Sequence, residues 1–300
     1  MKFVRPLSKS VVLLLSIVLV VLGGVGVYQF YVAQNKKITE SASLVSDLLP
    51  VVFLLPHQDD EMFMGGAMQQ AVASGRQVYV VMVTDGSASS ARHIINGEDS
   101  NHHPVFDTVY RRFHRPAREG YDPLDARAFT EARNKEYVSS VAALGISPDH
   151  IWFANPGEVF GSKTPLYIND TLTIATASQA IDQVFKIVGD GTYVTLAANL
   201  GALNAQHGDH LALREALREF KGIHQKQFFS EKIGDGHPQP VRPLELTQKG
   251  LALAHYFVWD PKNGRFAIGE HSVPALLHRW AKSPFEYLLD ETDFLPEIKE

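Results

Sequence analysis

A histidine and three carboxylates occur within five residues, directly after a short apolar run. The run, residues 51–55, reads Val-Val-Phe-Leu-Leu, and the polar side chains that follow include His57, Asp59, Asp60 and Glu61. Apolar runs rich in β-branched and aromatic residues are typical of buried strands, so the polar cluster begins where a strand must end. Carboxylates this close repel one another unless a cation or a positive neighbour offsets their charge. The cluster therefore indicates a metal site at the carboxyl end of a strand, where ligands bind in open α/β sheets.

Two histidines and a carboxylate follow a second apolar run in the same way. This run is residues 193–198, and His207, Asp209 and His210 come after it. Imidazole and carboxylate donors in a chain without cysteine suit Zn²⁺ in a hydrolytic site, where three protein ligands leave one position open for water. A lone acidic turn can also be a helix cap, but two clusters at strand ends predict a metal site.

Strands and helices alternate along the chain in an order that brings both clusters to one sheet edge. The pattern predicts strands at 51–55, 77–83, 149–153 and 193–198, and helices at about 62–74, 130–145, 177–188 and 208–220, with a further strand at 253–258. This alternation predicts an α/β fold with a mostly parallel sheet covered by helices on both faces. Residues 87–127 lack such a pattern, and irregular stretches of that length are usually functional lids or mobile segments.

The two clusters resemble the signature of the PIG-L/LmbE-like family of zinc-dependent N-deacetylases. That signature has Pro-His-Pro-Asp-Asp-Glu early and His-x-x-His or His-Pro-Asp-His late, and residues 56–61 and 207–210 match it. The turn at 84–86 (Thr-Asp-Gly) and residues 133–136 (Arg-Asn-Lys-Glu), ahead of 142–145, match as well.

The early and late motifs each differ from the family pattern at one position. Gln58 and Gly208 stand where the family often has proline. Both loops are therefore expected to be less rigid than in the family, although no ligand is lost.

The resemblance implies a Rossmann-like sheet of the LmbE-like type and a role for each site residue. His57, Asp60 and His210 would be the zinc ligands, and Asp59 the general base that takes a proton from water. His207, as an imidazolium, would stabilise the developing oxyanion and then protonate the leaving amine. Asp59 has a structural alternative, because an aspartate at this position can also cap the following helix.

Further residues are candidates for supporting the ligands or contacting substrate: Glu61, Asp209, Arg133, Thr84 and Asp85. Asp209 is expected to orient a histidine, and Glu61 to support the site or compensate the helix dipole. For Thr84 and Asp85, a structural turn is as well supported as a substrate contact. Arg133 suits a sugar or phosphate contact, but it could also pair with Glu136 on the helix surface. His102 and His103 are expected to be exposed loop residues rather than ligands of substrate or of a second metal.

The amino-terminal part of the chain predicts a membrane anchor. Residues 11–32 contain no charged side chain, and at about 1.5 Å per residue such a helix spans the roughly 30 Å hydrocarbon layer. Lys2, Arg5 and Lys9 lead the segment, which favours a cytoplasmic amino terminus. A secretory signal peptide is the alternative, but its apolar core is usually shorter. The predicted organisation is a cytoplasmic tail (1–10), a transmembrane helix (11–32), a linker (33–47) and an extracytoplasmic domain (48–300).

Composition narrows the range of functions. The chain has 300 residues, of which 45% are hydrophobic and 20% charged, as in a globular protein with a sizeable core. A net charge of −5 without a long basic run argues against nucleic acid as a partner, and the absence of cysteine excludes disulfides and thiolate zinc sites.

Three functions remain open. The leading one is removal of the acetyl group from an N-acetylated amino sugar of an extracytoplasmic glycan or lipid-linked saccharide. The alternatives are an amidase acting on another N-acyl small molecule or peptide conjugate, and a non-catalytic glycan-binding module tethered to the membrane. The complete set of predicted ligands and acid-base residues argues against the last.

Overall fold

The computed structural model describes residues 49–154, 172–198 and 207–290. The predicted anchor at 11–32 and its flanking segments lie outside these ranges. Among the residues described, no helix is both long enough and apolar enough to cross a membrane.

A seven-stranded sheet forms the centre of the described structure. The strands of the chain are β1 (Val51–Leu55), β2 (Val78–Met82), β3 (Phe106–Asp107), β4 (Arg112–Phe113), β5 (Ile151–Phe153), β6 (Thr192–Leu196), β7 (Gln225–Phe229), β8 (His237–Pro240), β9 (Trp259–Asp260), β10 (Arg265–Phe266) and β11 (Phe285–Leu289). In the sheet they lie in the order β5-β2-β1-β6-β7-β11-β8. The first five are parallel, and β11 runs antiparallel to both β7 and β8. The prediction of a mostly parallel sheet is confirmed.

Strand β1 is buried on both faces, which is why its sequence is continuously apolar. Val51, Phe53 and Leu55 belong to one hydrophobic core. Val52 and Leu54, which point to the opposite face because side chains alternate along a strand, belong to the other. The strand therefore holds its carboxyl end in a fixed position between two packed layers.

Helices cover both faces of the sheet. They are α1 (Gly65–Ala73), α2 (Ala91–Asn96), α3 (Pro116–Glu119), α4 (Ala126–Ala143), α5 (Ile174–Val188), α6 (Gly208–Glu219), α7 (Pro243–Leu253), α8 (Ile268–Ser272) and α9 (Pro274–Trp280). Side chains of α1, α4, α7 and α9 fill the core on the Phe53 side, and those of α5 and α6 fill the core on the Leu54 side. The layers match the predicted α/β architecture.

Two local predictions are wrong. Helix α4 begins four residues before Thr130, because Asp125 caps it by accepting a 2.7 Å hydrogen bond from the backbone N–H of Ala128. The predicted strand at 253–258 is instead the end of α7 followed by a 3₁₀ helix, Ala254–Phe257. The apolar residues Leu253, Tyr256 and Phe257 of this segment recur at the i, i+3, i+4 spacing, which also suits a helix.

Residues 87–127 form short elements rather than an irregular loop. They contain α2, the two-stranded β3–β4 pair and α3, each too short to show a periodic pattern in the sequence. Ile95 and Tyr121 of this segment pack in a small hydrophobic cluster with Phe129 of α4 and with Phe266 and Ile268 near the carboxyl terminus. Residues 87–127, the insertion, are thus attached to the rest of the domain through a small hydrophobic core of their own.

Candidate metal centre

Both predicted clusters lie at the carboxyl ends of neighbouring strands. Strand β1 pairs with β2 on one side and with β6 on the other. The chain passes from β1 to β2 and β5 on one side and then continues with β6 on the other side, so the strand order reverses at β1. Such a switch point opens a crevice at the carboxyl edge of the sheet. His57 and Asp60 follow β1 at this crevice, and His210 lies in the first turn of α6, which follows β6.

Three donor atoms lie at distances that fit a single metal ion. His57 Nδ1 is 2.9 Å from His210 Nε2, and Asp60 Oδ2 is 3.4 Å from each of these nitrogens. With metal–ligand bonds of roughly 2.0–2.1 Å, a tetrahedral zinc ion places its ligand atoms about 3.3–3.4 Å apart. The donor types therefore fit Zn²⁺, and so do the two distances to Asp60, whereas the two nitrogens lie closer together than in an ideal tetrahedron.

A carboxylate contacts the outer ring nitrogen of each of these histidines. His57 Nε2 is 3.1 Å from Asp209 Oδ2, and His210 Nδ1 is hydrogen-bonded to Glu231. Carboxylates in this position hold the proton on the outer nitrogen and leave the inner nitrogen free to bind a metal. Asp209 thus lies where an orienting residue is needed. Glu231 was not among the sequence candidates, and its only signal is that it follows β7, a third strand ending at the same edge.

The charges at the centre favour a cation. Burial acts to raise the pKa of Asp60, but the neighbouring His210 and His57 outweigh it and lower that pKa to about 2. Burial acts to lower the pKa of His210, but Asp60 and Glu231 outweigh it and raise that pKa to about 9. Asp60 is thus ionised, and the buried centre favours positive charge beside it.

Asp59 is held apart from its neighbour Asp60. Its backbone has a φ of 105°, which is rare for a residue with a side chain and is typical of functional sites. Arg133 Nη2 donates to Asp59 Oδ2 over 3.1 Å. Burial raises the pKa of Asp59 to about 6, and the charge of Arg133 limits the rise. Within the described residues its side chain makes no helix-capping hydrogen bond, so the capping alternative does not account for it.

Arg133 is a buried residue rather than part of a surface pair. Only 4% of it is exposed, and its guanidinium also donates to the backbone oxygens of Gly86 (2.9 Å) and Gln58 (3.0 Å). The carboxylate of Glu136 instead accepts the backbone N–H groups of Ile268 and Gly269, at 2.9 and 3.2 Å. Arg133 therefore positions Asp59 and the loop around it.

His207 lies at the mouth of the centre, with its ring centroid 4.5 Å from that of His57 and 5.2 Å from that of His210. It is the N-cap of α6, where its Nδ1 accepts a 3.4 Å hydrogen bond from the backbone N–H of Asp209. Burial and the two neighbouring histidines lower its pKa. Because Nδ1 accepts this backbone N–H, the neutral ring carries its proton on Nε2.

A second set of three donors includes His207. One ring nitrogen from each of His57, His207 and His210 lies within 4.8 Å of the others. Asp60 is the better third ligand, because its oxygen lies 3.4 Å from both inner nitrogens and it is buried and ionised.

Thr84 and Asp85 form a structural turn. Thr84 Oγ1 donates to the backbone oxygen of Pro56 over 2.6 Å, and Asp85 Oδ1 accepts the N–H of Ser87 over 2.9 Å. Both hydrogen bonds fix the backbone beside the centre.

Glu61 and Gln58 are also tied to the surrounding structure. Glu61 Oε1 accepts from the Tyr256 hydroxyl over 2.7 Å, in the core beneath the centre. The side chain of Gln58, fully buried, donates to Asn134 Oδ1 (2.7 Å) and to the backbone oxygen of Asp85 (3.2 Å). These hydrogen bonds restrain the loop at the position where the family usually has proline. Gln58 therefore holds the loop by hydrogen bonding instead of by the fixed backbone of a proline.

Comparison with known proteins supports the resemblance. A family model described as PIG-L, GlcNAc-PI de-N-acetylase, matches residues 52–221, which include both clusters. The chain belongs to the PIG-L family. Comparison with curated proteins gave no match.

Solved structures are similar to this chain at low sequence identity. N,N'-diacetylchitobiose deacetylase from Pyrococcus horikoshii, with an inhibitor bound, is 15% identical; the alignment covers 87% of this chain and 92% of that one, with a TM-score of 0.51. A triple mutant of a deacetylase from the teicoplanin biosynthetic pathway is 17% identical, with 77% and 88% covered and a TM-score of 0.49.

Replacing Glu231 by glutamine should weaken zinc binding by about 10- to 100-fold, as is typical when a residue that orients a metal ligand is lost. The amide is similar in size but does not carry the charge that holds the proton on His210 Nδ1. The measurement is the zinc dissociation constant of purified protein. Glu215→Gln is a matched control, because Glu215 is also 3% exposed but pairs with Arg214 and Arg218 instead of a histidine. Equal affinities in the two variants would show that Glu231 does not support the metal ligand.

Proposed function

We propose that this PIG-L family member is a zinc-dependent N-deacetylase that removes the acetyl group from an N-acetylated amino sugar. The observation that carries the proposal is the separation of two adjacent carboxylates. Asp60 lies among three donor atoms that fit one metal ion, whereas Asp59 is held beside them by Arg133 and has a pKa of about 6. A hydrolytic metal site needs such a pair, a ligand and a base.

His57, Asp60 and His210 would hold the metal. When bound there, Zn²⁺ would polarise the amide carbonyl and make a water molecule more acidic. Asp59, ionised at neutral pH, accepts the proton that the attacking water loses. His207, whose Nδ1 accepts a backbone N–H, would donate a hydrogen bond from Nε2 to the amide oxygen as negative charge develops on it. The proton taken up by Asp59 is then available to the leaving amine, so the protons balance without an imidazolium at His207.

The substrate class rests on the family. The matched model is described as GlcNAc-PI de-N-acetylase, which supports an N-acetylglucosamine unit attached to a larger carrier. An extracytoplasmic glycan or lipid-linked saccharide further depends on the predicted anchor.

The substrate proposal predicts acetate release from N-acetylated amino sugars. Purified protein should release acetate from at least one member of a panel comprising N-acetylglucosamine, its oligomers and N-acetylglucosaminyl-phosphatidylinositol. A chelator should abolish release, and zinc should restore it. Release from N-acyl peptide conjugates alone would favour the amidase alternative over the deacetylase. A zinc-loaded, folded protein that binds these sugars without hydrolysing them would favour the binding module.

Removal of the Arg133 charge should shift the pH dependence of catalysis. Arg133 lowers the pKa of Asp59, and the base acts only when ionised, so Arg133→Gln should move the acidic limb of the kcat/KM profile to higher pH by about 1 to 3 units. Arg133→Lys keeps a positive charge and should leave the limb closer to its wild-type position. If both variants lose activity equally at every pH and the limb stays in place, Arg133 has only a packing role.

The location of the protein is a separate proposal, supported by the charge-free run at 11–32 and the basic residues Lys2, Arg5 and Lys9 before it. The chain would be a single-pass membrane protein with its catalytic domain outside the cytoplasm. A reporter that is active only outside the cytoplasm, fused after residue 300, should give signal in intact cells. Signal from a cytoplasm-specific reporter alone would reverse this topology.

A further inference from the structure

A second cluster of metal-binding side chains lies apart from the residues of the first centre. Asp107 at the end of β3, His114 just after β4 and His271 in α8 meet in the interior, with no side-chain surface exposed to solvent. Asp107 Oδ2 is 3.0 Å from His114 Nε2 and 3.3 Å from His271 Nε2. One donor atom from each residue lies within 4.8 Å of the other two.

The outer nitrogens of both rings face acceptors. His271 Nδ1 is 2.7 Å from the backbone oxygen of Ala267, and His114 Nδ1 is 3.2 Å from Glu119 Oε2. A carbonyl or carboxylate oxygen only accepts, so a proton on Nδ1 of each ring satisfies that contact. In this neutral tautomer, Nε2 then presents a lone pair to Asp107 Oδ2. The same arrangement, an outer nitrogen on an oxygen acceptor and an inner nitrogen facing a carboxylate, occurs at His57 and His210.

The two oxygens of the Asp107 carboxylate have different partners. Oδ1 accepts the backbone N–H of Val109 over 2.7 Å, whereas Oδ2 faces the two rings. The charge of Glu119 is already balanced by Arg112, whose Nη2 donates to it over 2.9 Å. The negative charge of Asp107 and two facing lone pairs therefore remain to be offset.

Three arrangements can offset them: a second proton on each ring, a shift of each ring proton to Nε2, or one divalent cation. A shift to Nε2 would leave ring lone pairs facing the Ala267 oxygen and Glu119. Two imidazolium rings in a fully buried site would bring like charges together where desolvation is costly. A divalent metal ion uses both lone pairs and the carboxylate oxygen as ligands. Two imidazoles and one carboxylate, without a thiolate, form a donor set that zinc accepts.

We propose that Asp107, His114 and His271 bind a second Zn²⁺ ion with a structural role. The ion would connect the insertion, which supplies Asp107 and His114, to α8, which supplies His271. Helix α8 in turn donates its first backbone N–H groups to Glu136 on α4, the helix that carries Arg133. The second ion would thus fasten the insertion to the part of the domain that supports Asp59. The proposal concerns metal content and does not depend on the deacetylase activity.

The test uses the full chain with the first centre removed by His57→Ala and His210→Ala. After loading with zinc and removal of excess, the wild type should contain about two ions per chain and the double variant about one. Addition of His271→Ala to the double variant should reduce the content to about zero, and Asp107→Asn should do the same while changing fewer atoms. The remaining ion, replaced by Co²⁺, should give the visible absorption of a nitrogen- and oxygen-ligated site.

His102→Ala with His103→Ala is the matched control, because both histidines are exposed and belong to the same insertion. In the double-variant background this control should keep about one ion per chain. A double variant that is folded by circular dichroism but holds no metal would overturn the proposal and leave the metal-free arrangements. Retention of metal in folded Asp107→Asn and His271→Ala forms of the double variant would overturn it too.

Discussion

The centre depends on negative charge gathered where three parallel strands end. Asp60 follows β1, Asp209 lies in the helix after β6, and Glu231 follows β7, and each contacts His57 or His210. All are buried, so water cannot offset their charge. A cation between the two histidines would satisfy this arrangement. The packing of β1 between two cores holds the strand end in place.

Adjacent residues with opposite environments account for the proposed chemistry. Asp60 faces two imidazoles and its pKa is lowered to about 2, whereas Asp59 is buried against one arginine and its pKa is raised to about 6. In the proposed mechanism, two carboxyl groups of one type serve as a ligand and a base because their surroundings differ. The left-handed backbone at Asp59 is the local feature that directs the two side chains to different partners.

The sequence predicted the features that depend on residues close together in the chain. The position of the site at the sheet edge was predictable from the continuous apolar run of β1 and the polar residues after it. The cluster around His210 identified the residues that meet them there. Glu231 and the buried position of Arg133 were not predictable, because both depend on contacts between segments far apart in the chain. The same holds for His271, which meets the insertion only after folding. The start of α4 was misplaced because Thr130 is as good a cap type as Asp125, and only the structure shows which of the two accepts the first backbone N–H.

The comparison of Asp59→Asn with Asp60→Asn tests the central claim most directly. If Asp59 is the base and not a ligand, Asp59→Asn should keep its zinc and lower kcat by about 10²- to 10⁴-fold, since an amide cannot accept the proton of the attacking water. Asp60→Asn should lose zinc. The measurement is kcat for acetate release together with zinc content in the same preparations. Wild-type kcat in a folded, zinc-loaded Asp59→Asn protein would contradict the mechanism, even with the fold and the metal site unchanged.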